Sequence, residues 1–322
     1  MNPLVEFVVF SAILWTGMFA GLLWRRKRAD VIRWTGPILR FNLLTFDMMV
    51  LVISFWRLDI SEYGWRLLSV PLIALCVSLA GLMTARALGH RWGLEPRAHG
   101  AFVVSAAISN IGMTFGIPVC FALYGLEGQS IAGLYLVYFP FFVFIVLFTL
   151  ADRWRRRAQE GEAERITLLA LARAFFRDPY RMAPLAAIAV GVALNLKRGP
   201  HSIPSWIQTW NRSNIYANLF LAFLAVGFTI RLGGVSARLG RNAWLCVIKF
   251  ALSPLVGIAL ALLIGLSGKA LVVIGVLSAC PVAIYAVMTS VFYDLDQEFA
   301  GMALMTTTAL ATLLALPVLI FN

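Results

Sequence analysis

Apolar stretches of roughly twenty residues, the length that carries a helix across a hydrocarbon core, follow one another along almost the whole chain. They are centred near residues 4–24, 34–56, 67–88, 101–124, 130–151, 184–196, 215–232, 243–266, 270–293 and 299–321. Only helices or closed barrels satisfy every backbone group in lipid, and stretches of this length favour helices. The expected fold class is therefore an all-α membrane protein of ten transmembrane helices. Hydrophobic residues make up 61% of the 322 and charged residues 13%. That leaves too little polar surface for a water-soluble domain.

A formal charge of +12 in a soluble protein would suggest nucleic acid, but the basic residues sit where a membrane protein needs them. Of the 27 Lys and Arg, 19 fall on one set of alternate loops and 6 on the other. Among them are Arg25, Arg26, Lys27 and Arg28 after the first stretch and Arg153, Arg155, Arg156 and Arg157 after the fifth. The positive-inside rule then puts both termini outward across a plasma membrane, the inner membrane of a bacterium, with no nucleic-acid partner. The first basic cluster follows its apolar run and no small-residue cleavage site comes after it, so this stretch is expected to remain as a span. Cys76, Cys120, Cys246 and Cys280 stand singly, without metal-ligand spacing, and read as packing residues. No metal or cofactor is implied. Asn211, Arg212 and Ser213 form a glycosylation sequon on the outer side.

The polar segment 152–181 divides the chain into 1–151 and 182–322, five stretches each, and an odd number inverts the second set relative to the first. Within it, 165–177 alternates apolar and basic residues and is expected to lie on the inner surface. Asp178 and Pro179 should end it and let the next helix begin. A solvated linker is the alternative.

The fourth stretch contains Ser109-Asn110-Ile111-Gly112-Met113-Thr114-Phe115-Gly116-Ile117-Pro118, and the ninth contains Ser278-Ala279-Cys280-Pro281 followed by Tyr285, Thr289 and Ser290. Proline removes an amide donor and glycine tolerates irregular backbone. Both segments are therefore expected to break, and a break at membrane depth must face protein or a cavity. The half-helix that follows would present unpaired amides and a positive dipole end to a carboxylate. A simple proline kink is the alternative.

These segments resemble the auxin efflux carrier family of permeases, which includes plant auxin exporters and bacterial malate and malonate carriers. The likeness runs through SNIGMTFGIP, RDPYRMAPLAAIAVGVAL, VIKFALSPLVGIALAL, ACPVAIYAVMTSVFYDLD and the terminal TTTALATLLALPVLIF. It implies two inverted five-helix repeats whose fourth and ninth helices are broken and cross, with the substrate bound there and homodimers formed in the membrane. Asn110, Gly116 and Pro118 match the first crossover element and Pro281 the second. Gly112, Thr114, Cys280 and Tyr285 would complete the lining. Where many relatives carry a second Pro and an Asn this chain has Val282 and Tyr285, and Phe139-Pro140 stands near the place of another Asn, so the polar lining differs.

Asp47 lies near the centre of the second stretch, where an ionisable group costs about 2.5–3.5 kcal/mol on insertion scales. Arg40 and Lys249 are close enough to the inner ends of their spans to snorkel. Asp47 is expected to face the bundle interior, protonated or paired with a cation such as Lys249, as a site for proton coupling; a structural buried carboxyl is the other reading. The whole implies a permease for a small organic anion, not an enzyme. A channel or a non-transporting receptor is the first rival. An intramembrane serine hydrolase is the second, because Gly265-Leu266-Ser267-Gly268 resembles a nucleophile motif. His90, His99 and His201 all precede Ser267, however, and lie in expected loops.

Overall fold

A computed structural model of the protein describes residues 3–159, 176–229 and 235–321. All the named elements are helical, and five are long and apolar enough to cross a membrane. These are α1 (Pro3–Lys27), α2 (Asp30–Arg57), α3 (Trp65–Arg91), α5 (Gly116–Gln159) and α8 (Arg238–Ile264). The others are α4 (Pro96–Ala107), α6 (Pro179–Arg198), α7 (Ser205–Thr229), α9 (Gly268–Ser278), α10 (Ile284–Phe292) and α11 (Gln297–Phe321). Long apolar helices of this kind are those of a membrane-embedded protein. The helix α6 begins at Pro179, as the sequence suggests, because a first-turn proline forfeits a donor that has no partner anyway. Most of the segment expected on the inner surface lies outside the described residues.

The 44 residues of α5 would reach about 66 Å if straight, far beyond a bilayer core of about 30 Å. The chain instead reverses at Tyr124 and Gly125, where Gly125 takes φ 58°. A Cβ added at Gly128 would stand 2.2 Å from the Cys120 carbonyl oxygen, although residues eight apart in a straight helix are separated by about 12 Å. The first arm therefore folds against the start of the second. That second arm remains helical through Gln159.

Where α1 meets α7 the contact is backbone on backbone. A Cβ at Gly17 would lie 2.7 Å from the Phe220 carbonyl oxygen, one at Gly21 2.3 Å from that of Leu224, and one at Gly227 2.5 Å from that of Met18. Gly17 and Gly21 are four apart on one face, the small-residue spacing that lets helices approach in lipid, where van der Waals contact replaces the hydrophobic effect.

Polar contacts gather at two ends of the bundle. At one, Tyr63 and Lys269 bond Glu127, His201 bonds Asp59 and Arg66 bonds the Gly265 carbonyl. At the other, Arg97 pairs with Asp294, and Arg238 with Asp296 and Glu298. The exposed faces of α3 and α8 are apolar, with side chains such as Leu72, Met83, Leu255 and Leu263.

Candidate functional site

Both expected breaks are present, and they cross. The helix α4 stops at Ala107, Ile108 is extended (φ −117°, ψ 134°), and regular helix resumes only at Gly116. On the other side α9 stops at Ser278 and α10 starts at Ile284. Between them the two irregular strips run antiparallel, with Ser109 opposite Val282. The Asn110 amide donates to the Pro281 carbonyl (2.7 Å) and the Ala283 amide to that of Ile108 (3.3 Å). Thr307 on α11 accepts from the Val282 amide at 3.0 Å. Each break thus satisfies peptide groups the other leaves open, which is what irregular backbone at membrane depth requires.

Of the two half-helix starts expected to carry free donors, only one does. At the start of α5 the Gly116 amide donates to the Asn110 carbonyl (2.9 Å), Ile117 to that of Gly112 (3.1 Å) and Val119 to that of Phe115 (3.1 Å); Pro118 has no donor. The expectation of unpaired amides there is corrected, and the reason is the tight loop 110–115, which folds its own carbonyls back over the helix end. Gly116 is required by this fold, since a Cβ would meet the Ile111 carbonyl oxygen at 2.4 Å. On α10 Ala283 offers no side-chain cap. There the amides of Ile284 and Tyr285 keep no partner among the described residues. Beside them the buried Asn110 Nδ2 is also unpartnered, its Oδ1 being held by Thr114.

Lys249 completes the crossing. Its side chain is 1% exposed, so it does not snorkel. Nζ donates to the Ile108 carbonyl and to Ser109 Oγ, both at 2.9 Å. A cation is thereby fixed at the C-terminal, negative end of α4, with no carboxylate in ion-pair range among the described residues. The expected pairing with Asp47 is corrected: Asp47 instead accepts a hydrogen bond from Asn218. The two groups are alike in one respect that periodicity hides. Asp47 closes a π-helical turn (Leu43–Asp47) and Lys249 lies in another (Ile248–Leu252). Such turns rotate side chains out of helical register and free carbonyls, and they cluster at functional sites. Arg40, by contrast, is exposed.

One polar feature escaped the sequence reading. Asn211, Asn214 and Asn218 are all buried on one face of α7. Asn211 donates to Gln129 Oε1 (2.7 Å), Asn214 to the Phe46 carbonyl in the first π turn (3.1 Å), and Asn218 to Asp47. Asn42 in turn donates to the Asn218 carbonyl at 2.9 Å. The spacing of three and four was the available signal. Asn211, at 0% exposure, is no glycan acceptor, because its amide is spent on Gln129.

Of the remaining candidates, Pro118, Cys280 and Pro281 are buried at the crossing, while Gly112 and Thr114 are half-buried in the loop. Tyr285 is 40% exposed, with its ring edge-on to Phe139 at 5.7 Å and Asp47 within electrostatic range. Neither of two cavities, one of about 640 Å³ beside Arg86, Arg153 and Arg157 and one of about 260 Å³ beside Arg57, Glu127 and His201, opens onto the crossing. Ser267 is an exposed turn residue between α8 and α9, following Gly265 at φ 82°. No protein-family model matches this chain, and no curated protein matches it.

Proposed function

We propose that the chain is a secondary carrier, a permease of the auxin efflux carrier type, which moves a small organic anion by alternating access. Ten spans would form two inverted five-helix repeats, α1 to α5 and α6 to α11, with both termini outward. The helix pairings support this. Exchanging the repeats turns the α1–α7 contact into α6–α2, α3–α4 into α8–α9, and α9–α5 into α4–α10, and all six contacts are present. These three pairings return when the halves are swapped, as an inverted repeat requires, whereas the contacts of α2 with the first arm of α5 and of α4 with its second arm have no comparable counterpart.

The observation that carries the functional reading is the buried crossing itself. Two helix C-termini, two helix N-termini and one carboxylate-free lysine converge there. The unpartnered donors, at Asn110 Nδ2 and the first amides of α10, suit a carboxylate near Lys249 better than a cation or a neutral sugar. Because the crossing is buried, the substrate must reach it by movement of one bundle against the other, as alternating access requires. Asp47, held by Asn218 beside the same helix start, is the candidate proton-coupling group.

The test is counterflow in proteoliposomes loaded with mono- and dicarboxylates. Saturable uptake stimulated by substrate on the far side, abolished in Asn110→Ala and altered in pH profile in Asp47→Asn, is expected. Ohmic current without saturation would make the protein a channel. Binding that persists undiminished in Asn110→Ala would move the site.

A further inference from the structure

The larger cavity, about 640 Å³, lies away from the crossing at the arginine-rich end of α3 and of the second arm of α5. The arginines of α5 divide between two roles. Arg155 and Arg156 both bond the buried Asp152 carboxylate (2.7 and 2.6 Å). Arg153 and Arg157, one turn apart, are exposed and line the cavity opposite Arg86. None of these three has a carboxylate partner among the described residues. Three guanidinium groups around one hollow repel each other unless an anion joins them, and the planar fork of arginine suits phosphate oxygens.

The other wall identifies the kind of anion. Along one face of α3, Leu72, Leu79 and Met83 are exposed (61%, 37% and 67%). The same face then passes into the cavity through Met83 and ends at Arg86. Leu82 and Leu150 also line the cavity. Apolar surface along the helix leading into a cationic mouth is the polarity of a phospholipid, with acyl chain below and phosphate above; a soluble phosphate has no use for the apolar half. We propose that this groove binds an anionic phospholipid from the leaflet at the arginine-rich end, with its phosphate held by Arg86, Arg153 and Arg157 and its chain along Met83 and Leu79. This requires only that the bundle sits in a bilayer, and it stands whether or not the protein is a carrier.

Thermal unfolding in nanodiscs of phosphatidylcholine, with and without an equal part of phosphatidylglycerol, tests it. Phosphatidylglycerol is expected to raise the Tm of the wild type. The combined Arg86→Gln, Arg153→Gln and Arg157→Gln variant should lose at least half of that gain, and the charge-matched Arg25→Gln, Arg26→Gln, Lys27→Gln variant should keep it. Met83→Glu, a single change at an exposed position that sets a carboxylate beside the phosphate, should reproduce the loss even if the triple variant folds poorly. An undiminished gain in Met83→Glu, or a loss as large in the charge-matched variant, would overturn the groove as the site. Stabilisation by soluble glycerol phosphate in phosphatidylcholine discs equal to that by the lipid would overturn the lipid as its occupant.

Discussion

Replacing Lys249 by Met separates the two things this side chain can do. Methionine nearly matches the volume of the lysine stem, so no large cavity opens. The substitution removes two hydrogen bonds of 2.9 Å, to the Ile108 carbonyl and Ser109 Oγ, each worth about 1.5–3 kcal/mol from a charged donor. It also removes a buried ammonium, whose desolvation costs several kcal/mol. These terms offset each other, and the unfolding temperature should move by only a few degrees. Anion affinity has no such compensation. A carboxylate seated about 4–6 Å from Nζ gains about 3–4 kcal/mol at an effective dielectric constant of about 20. Since about 1.4 kcal/mol is tenfold, Lys249→Met should weaken binding by roughly 100- to 1,000-fold. Ser109→Ala keeps the charge and loses one anchor, and should cost less than about tenfold. Calorimetric titration of whichever carboxylate supports counterflow measures both. Equal affinity in wild type and Lys249→Met, with the fold intact, would refute the placement of the anion at this cation.

Gly21→Val should lower stability by more than about 2 kcal/mol, because its Cβ would stand 2.3 Å from a backbone oxygen of α7; Gly36→Ala, with open space around it, should change the unfolding temperature little. Gln129→Leu and Asn211→Leu should each cost about 1–3 kcal/mol by stranding the other buried amide, and the double variant less than their sum, a coupling that a double-mutant cycle reads directly. At the opposite end of the bundle from the phospholipid groove, the Asp59 carboxyl is held below the usual carboxylate range, chiefly by the Ser61 hydroxyl and further by His201. A carboxyl depressed in the folded state stabilises it above the unfolded-state value, near 3.8, and that contribution fades as pH falls through the folded value. The acid limb of the stability profile should therefore flatten in Asp59→Asn, and an identical acid limb would remove Asp59 from the account.

Apolar run length was enough to mark the chain as helical and membrane-embedded, with five helices of spanning length among the described residues, because the reach of a helix per residue and the thickness of the hydrocarbon core are fixed quantities. Gly116, Pro118 and Pro281 marked both interruptions for an equally local reason: a missing donor and a missing Cβ act on the residue's own backbone. What those breaks do with their hydrogen bonds was a different matter. Loop 110–115 folds back to satisfy the start of α5 and leaves the open amides on α10, and that depends on a strip of chain about 170 residues away. The same holds for Lys249, whose position two turns inside a span reads as a snorkel until α4 supplies a carbonyl and a hydroxyl for it. Asp47, Asn218 and the asparagine face of α7 meet only because a π turn rotates α2, which no periodic pattern reveals. Local sequence thus determined where the chain is helical and where it fails to be. Only the tertiary structure decided which polar group meets which, since hydrogen-bond pairing inside a bilayer is a contest among distant segments for the few partners that lipid does not provide.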